Sequence, residues 1–90
     1  MFRYDITDKL KKKLFKLAKR DRVLAKIFKR KLLEVISHDK NSISTYKNLR
    51  SPLNEYKRIH LTDNYILLFA VNLEKNHVLF VDILHWDCAY

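Results

Sequence analysis

An α+β domain, built from a small antiparallel sheet and one two-helix hairpin, is the architecture this amino-acid sequence predicts. Helical periodicity is confined to one stretch, about residues 8–38, while period-two alternation precedes it and recurs after residue 55. The chain has 90 residues, which suffices for one modest core and not for two. Residues 1–90 are therefore expected to form a single domain in the order β-α-α-β-β-β.

Each element has its own signal. Phe2-Arg3-Tyr4-Asp5-Ile6 alternates apolar and polar residues and suits a short strand buried on one face. Thr7 can cap a helix, and Asp8 in the first turn is favoured by the helix dipole. Within that helix Leu10, Leu14, Leu17 and Ala18 form an apolar stripe, with Lys9, Lys11, Lys12, Lys13 and Lys16 falling mainly elsewhere. Lys19-Arg20-Asp21 interrupts the pattern, and Asp21 can cap a second helix whose stripe is Leu24, Ile27, Phe28, Leu32, Val35 and Ile36. So short a link predicts an antiparallel hairpin. Residues 39–55 are mostly polar and contain Pro52, the only proline, which predicts a long loop anchored by Ile43, Tyr46, Leu49 and Leu53. Tyr56–Leu61, Tyr65–Leu73 and His77–Leu84 then read as strands, separated by Thr62-Asp63-Asn64 and Glu74-Lys75-Asn76 in an antiparallel meander.

Charge and composition narrow the function. Residues 1–40 carry 14 Lys or Arg against 5 acids, a net +9, whereas residues 41–90 carry 5 against 5. An excess concentrated in one half favours a polyanionic partner, be it nucleic acid, a membrane surface or an acidic protein. The apolar stripes are needed for the core, which argues against the membrane surface. The longest apolar run, Tyr65–Val71, is seven residues, well short of the roughly 20 that span a bilayer. The N-terminus lacks the apolar centre of a signal peptide, and Cys88 is the only cysteine, so a reducing cytoplasm is the expected compartment. Without a single glycine the chain has no Gly-rich phosphate loop. His38, His60, His77 and His85 are too scattered to suggest a metal site, and neither metal nor cofactor is expected. Cys88 near His85 reads as a surface thiol, because no third group orients the pair.

In Tyr56-Lys57-Arg58-Ile59-His60-Leu61 the alternation puts Tyr56, Arg58 and His60 on one face and Lys57, Ile59 and Leu61 on the other. An Arg and a His two apart on a strand, roughly 6–7 Å from each other, can flank one phosphate. Metal-independent RNA cleavage needs a base for the 2′-hydroxyl, an acid for the leaving 5′-oxygen and cations for the crowded phosphorane. His60, His85, Arg58 and Tyr90 have the right chemistry in kind. Solvent-facing residues of a sheet edge would look the same. Trp86 and Tyr90 can stack on unpaired bases or pack over the sheet.

Tyr46-Lys47-Asn48-Leu49-Arg50-Ser51-Pro52-Leu53-Asn54-Glu55-Tyr56-Lys57-Arg58-Ile59-His60-Leu61, then Tyr65-Ile66-Leu67-Leu68-Phe69, and finally His85-Trp86-Asp87-Cys88-Ala89-Tyr90, resemble the RelE/ParE toxin superfamily, most of all its RelE-like branch with the YafQ-like and YoeB-like members. The resemblance extends over essentially the whole chain. It implies a small sheet carrying two helices, a ribosome-dependent mRNA endonuclease (mRNA interferase) that inhibits translation, and a cognate acidic RelB-like antitoxin. Position by position it implies Arg58 as a phosphate clamp, His60 and His85 as proton-transfer groups and Tyr90 as their support. Lys47, Arg50 and Lys57 are RNA-contact candidates that can replace a missing phosphate cation, and under the endonuclease reading Lys9, Lys11, Lys12, Lys13 and Lys16 grip ribosomal RNA. Two positions depart from the pattern: Ile66 and Trp86 stand where the family commonly has Arg. Those losses point to weakened catalysis, or to a ParE-like toxin that inhibits gyrase by protein contact, or to one that retains antitoxin binding alone.

Overall fold

The computed structural model describes residues 1–43, 46 and 56–85. Its elements are β1 (Arg3–Ile6), α1 (Asp8–Arg20), α2 (Arg22–Ile36), β2 (Lys57–His60), β3 (Tyr65–Asn72) and β4 (His77–His85). They form one four-stranded sheet in the order β1-β4-β3-β2 with the helical hairpin packed on one face. The fold is the expected α+β arrangement. The β2-β3-β4 meander is antiparallel, and β1 joins it in parallel beside β4, so the sheet as a whole is mixed. Alternation reports which face a side chain takes and is silent on strand direction, which is why β1's orientation could not be read from the sequence.

Local chemistry fixes the helix ends. The Thr7 hydroxyl accepts from the Leu10 amide at 3.2 Å and donates to the Val81 carbonyl at 2.7 Å, so one side chain starts α1 and pins it to β4. Asp21 closes α1 by donating its amide to the Leu17 carbonyl at 2.7 Å, and it opens α2 by accepting from the Leu24 amide at 2.9 Å. One residue thus joins the helices, as its capping chemistry suggests. The β3–β4 turn ends at Asn76, whose positive φ of 53° is a conformation that Asn tolerates better than most residues. Its carbonyl and side chain hold the chain start through Arg3 and Met1.

The main core lies between helices and sheet and includes Leu10, Phe28, Leu32, Val35, Leu67, Phe69, Val78, Phe80 and Ile83. Of the α1 stripe only Leu10 is fully buried; Leu14 and Leu17 are partly so, and Ala18 is exposed. A second cluster, Ile66 and Leu68 with Tyr56, Val81 and Leu84, occupies the opposite face of the sheet.

One irregularity positions the functional residues. Phe69 pairs with Phe80, but Leu68 pairs with Asp82, leaving Val81 as an extra residue in β4. A bulge of this kind slips the alternation by one residue. Beyond it, Ile83 and His85 face α1, where uninterrupted alternation would put residues 82 and 84. Asp82 itself keeps the orientation toward α1 that it shares with Val78 and Phe80; it is 4% exposed and meets the ammonium groups of Lys13 at 2.7 Å and Lys9 at 3.2 Å. Burial pushes the Asp82 carboxyl up, but the bonds from Lys13 and Lys9 outweigh it and hold the group below the usual carboxylate range. A carboxyl with a depressed folded-state pKa stabilises the fold at pH values above the ordinary carboxylate range and loses that contribution as pH falls through the folded-state value. Asp82→Asn is expected to cost about 1–2 kcal/mol at pH 7, less than a fully buried pair because both lysines reach solvent. Urea unfolding at pH 7 and pH 3 checks this: the difference between wild type and variant should shrink at pH 3, and a constant gap would rule out the ionised pair as its source.

Candidate functional site

The sheet face turned away from the helices gathers two of the candidate residues. On β2 the Ile59 side chain enters the core, so Arg58 and His60 project side by side from the other face, Arg58 half-buried and His60 exposed. Across the ladder Arg58 pairs with Leu68 and His60 with Ile66, which in turn pairs with Leu84. A cation and an imidazole thus stand at the edge of an apolar floor made by Ile66, Leu68, Val81 and Leu84, flanked by Tyr56. Such a floor strengthens electrostatic contacts made above it, because it replaces water with a medium of lower polarity. The guanidinium can bind two non-bridging phosphate oxygens, while the imidazole can accept or donate a proton near neutral pH.

Ile66 is fully buried in that floor. Where the RelE-like pattern has a phosphate-binding cation, this chain has a structural side chain.

His85 is on the other face. Its ring meets Tyr65 edge-on, with centroids 5.4 Å apart and planes at 81°, and the two line a cleft with Lys13, Lys16, Leu17, Arg20 and Ile83. The structure therefore brings Arg58 and His60 together and sets His85 across the sheet from them. Lys57, also expected to contact RNA, points to the helix side and donates to the Tyr46 carbonyl at 3.1 Å. Lys47, Arg50, Trp86, Cys88 and Tyr90 lie outside the described residues.

The basic helix divides in two. Lys9 and Lys13 engage Asp82, and Lys13 also donates to the Ile83 carbonyl at 3.0 Å. Lys11, Lys12 and Lys16 face solvent around Phe15, a ring 66% exposed with the Lys19 ammonium 4.4 Å from its centre. Asp82 was the signal that sequence reasoning overlooked: it is the one acid in an otherwise apolar strand, and a buried carboxylate calls for a cation.

Of the expected loop anchors, Ile43 is buried in the core and Tyr46 packs against it, whereas the part played by His38 was not foreseen. His38 bridges the Ser42 hydroxyl at 3.0 Å and the Tyr46 hydroxyl at 2.8 Å, and the Tyr46 ring stands edge-on to Phe69 at 5.4 Å. Burial, and secondarily the charge of Glu34, raises the Tyr46 phenol above its ordinary pKa. This network ties Ser42 and Tyr46 to the end of α2, and Tyr46 in turn touches Phe69 of β3 and Lys57 of β2, the strand that carries Arg58 and His60.

No protein-family model matches the chain. A curated protein of Methanocaldococcus jannaschii named "Putative toxin RelE4" is 38% identical over 90 residues, all of this chain and 92% of that protein. Among solved structures, the toxin–antitoxin complex RelBE of E. coli superposes with a TM-score of 0.70 at 23% identity, covering 92% of this chain and 94% of that one. YafQ of E. coli strain BL21(DE3) does so at 0.74 and 15%, covering 97% and 96%. The structural likenesses give the fold and the sequence relative gives the family: this chain belongs to the RelE-like toxins.

Proposed function

We propose that the protein is the toxin of a toxin–antitoxin pair and acts as a ribosome-dependent mRNA endonuclease that halts translation. The observation that carries this reading is the pairing of Arg58 and His60 over an apolar floor, on the sheet face opposite α1 and α2, in a chain of the RelE-like family. In the reaction a base withdraws the 2′-hydroxyl proton, the oxygen attacks the adjacent phosphorus, and the 5′-oxygen leaves with a proton. Arg58 neutralises the non-bridging oxygens and His60 carries one of the two proton transfers. Tyr90 is the natural source of the other, given the resemblance of the chain end to the family pattern. Of the expected ribosome-binding lysines, the three that Asp82 does not occupy, Lys11, Lys12 and Lys16, hold ribosomal RNA. An acidic antitoxin is the expected inhibitor, because the net charge of +9 is concentrated in the first 40 residues.

The test is translation of a defined message in vitro, with and without the purified protein, with 3′ ends mapped by primer extension. Cleavage that requires ribosomes supports the reading. Intact message at high protein concentration overturns it in favour of a toxin acting by protein contact, a reading that the burial of Ile66 favours because one phosphate cation of the pattern is gone. Accumulation of cleaved gyrase–DNA complexes would then identify a ParE-like action.

A further inference from the structure

The cleft between α1 and the ends of β3 and β4 is unused by the chemistry assigned to Arg58 and His60, and it lies on the opposite face of the sheet. Its volume is about 300 Å³, at the small end for ligand pockets and suited to a single nucleotide rather than to a helix or a base-paired stem. Lys13, Lys16, Leu17 and Arg20 of α1 line one wall and Tyr65, Ile83 and His85 of the sheet the other. Lys13 is committed to Asp82 and to the Ile83 carbonyl, which fixes that wall in place. Among the described residues neither Lys16 nor Arg20 has an acidic partner within 4 Å. The two are one helical turn apart and therefore project from the same side of α1. Facing them, Tyr65 and His85 offer aromatic surface whose mutual position is set by their edge-on contact.

Cations on one wall and rings on the other are the complement of a nucleotide with its phosphate at one end and its base at the other. An acidic peptide would use the cations and leave the rings without a partner. We propose that this cleft is a second RNA subsite, in which Lys16 and Arg20 bind a backbone phosphate and the Tyr65–His85 pair receives an unpaired base. The inference rests on the RNA-directed reading above, but it concerns binding and needs no cleavage. It makes His85 a binding residue, placed there by the β4 bulge.

The test uses a fluorescently labelled 12-nucleotide 2′-O-methyl RNA, which cannot be cut because the attacking hydroxyl is blocked, together with vacant ribosomes. Its outcome is therefore independent of whether the protein is an endonuclease. The double variant Lys16→Gln, Arg20→Gln changes only exposed side chains. It should weaken binding about tenfold at 0.1 M salt and make the log–log salt dependence shallower by about 0.7, the value for one phosphate contact on a single strand. Tyr65→Leu, with its fold checked by thermal unfolding, should also lose about tenfold, but with the salt slope unchanged, as expected for lost stacking. Loss on the oligonucleotide assigns the bound strand to message, and loss on ribosomes alone assigns it to ribosomal RNA. Lys26→Gln, Arg30→Gln on α2 is the charge-matched control: an equal loss there, no loss from the cleft variants, or equal displacement of RNA by polyglutamate of matched charge would each overturn the assignment.

Discussion

Replacing His60 by Ala is expected to lower the rate of ribosome-dependent message cleavage by about 10²–10⁴-fold, the usual contribution of a positioned proton-transfer group. Arg58→Ala should cost about 10²–10³-fold, as the loss of one donor to a charged transition state does. Arg58→Lys should recover only part of that, because an ammonium restores the charge without the planar fork. His85→Ala supplies the contrast. Its ring lies on the other side of the sheet, with Tyr65, so the variant should weaken binding while leaving the rate at saturating ribosome concentration within a few-fold of wild type. Primer-extension time courses at several ribosome concentrations separate the two effects. If His85→Ala lowers the saturated rate as far as His60→Ala, the chemistry does not divide between the two faces in the way proposed.

The division itself depends on a feature that residue patterns do not reveal. Thr7 and Asp21 announced the helix ends because capping is local, and they cap as expected. The β2 alternation correctly sent Ile59 to the core and Arg58 with His60 to the other face, because a short strand needs only its own pleat to define two sides. In β4 the same rule fails beyond Asp82. Val81 has no counterpart in β3, and the strand slips by one. Without the slip His85 would share a face with His60, with which its chemistry groups it. The trace in the sequence is Asp82, an acid where the strand is otherwise apolar. Its meaning emerges only once Lys9 and Lys13 of α1 are placed beside it, a contact across 69 or more residues that no local rule can supply. The same contact ties two lysines of α1 to one carboxylate, although composition had assigned their charge wholly to a polyanionic partner.

Ile66→Arg is expected to destabilise the fold by about 3 kcal/mol and to bring no gain in cleavage. Members of the RelE-like branch commonly carry Arg at this position, so the substitution formally restores a phosphate cation. In this chain, however, Ile66 is fully buried on the face of Arg58 and His60, packed with Leu68, Tyr56, Val81 and Leu84. Removing the Ile side chain forfeits its burial, and the guanidinium must either lose its water or push the surrounding side chains apart to reach it. In a domain of this size, 3 kcal/mol corresponds to a fall in melting temperature of roughly 12–24 °C. The charge would also stand in register with His60, its partner across the ladder, and would disfavour the protonated imidazole in any role that requires it. Thermal unfolding and cleavage of a defined message, measured on the same preparation, decide the matter. A variant that keeps its melting temperature and cuts faster would mean that the floor yields to a cation and that the chain lacks only the missing charge. A destabilised variant with no faster cleavage would mean that this face has exchanged a phosphate contact for packing, and that charge stabilisation of the transition state rests on Arg58 and on residues reaching over the floor from outside the sheet.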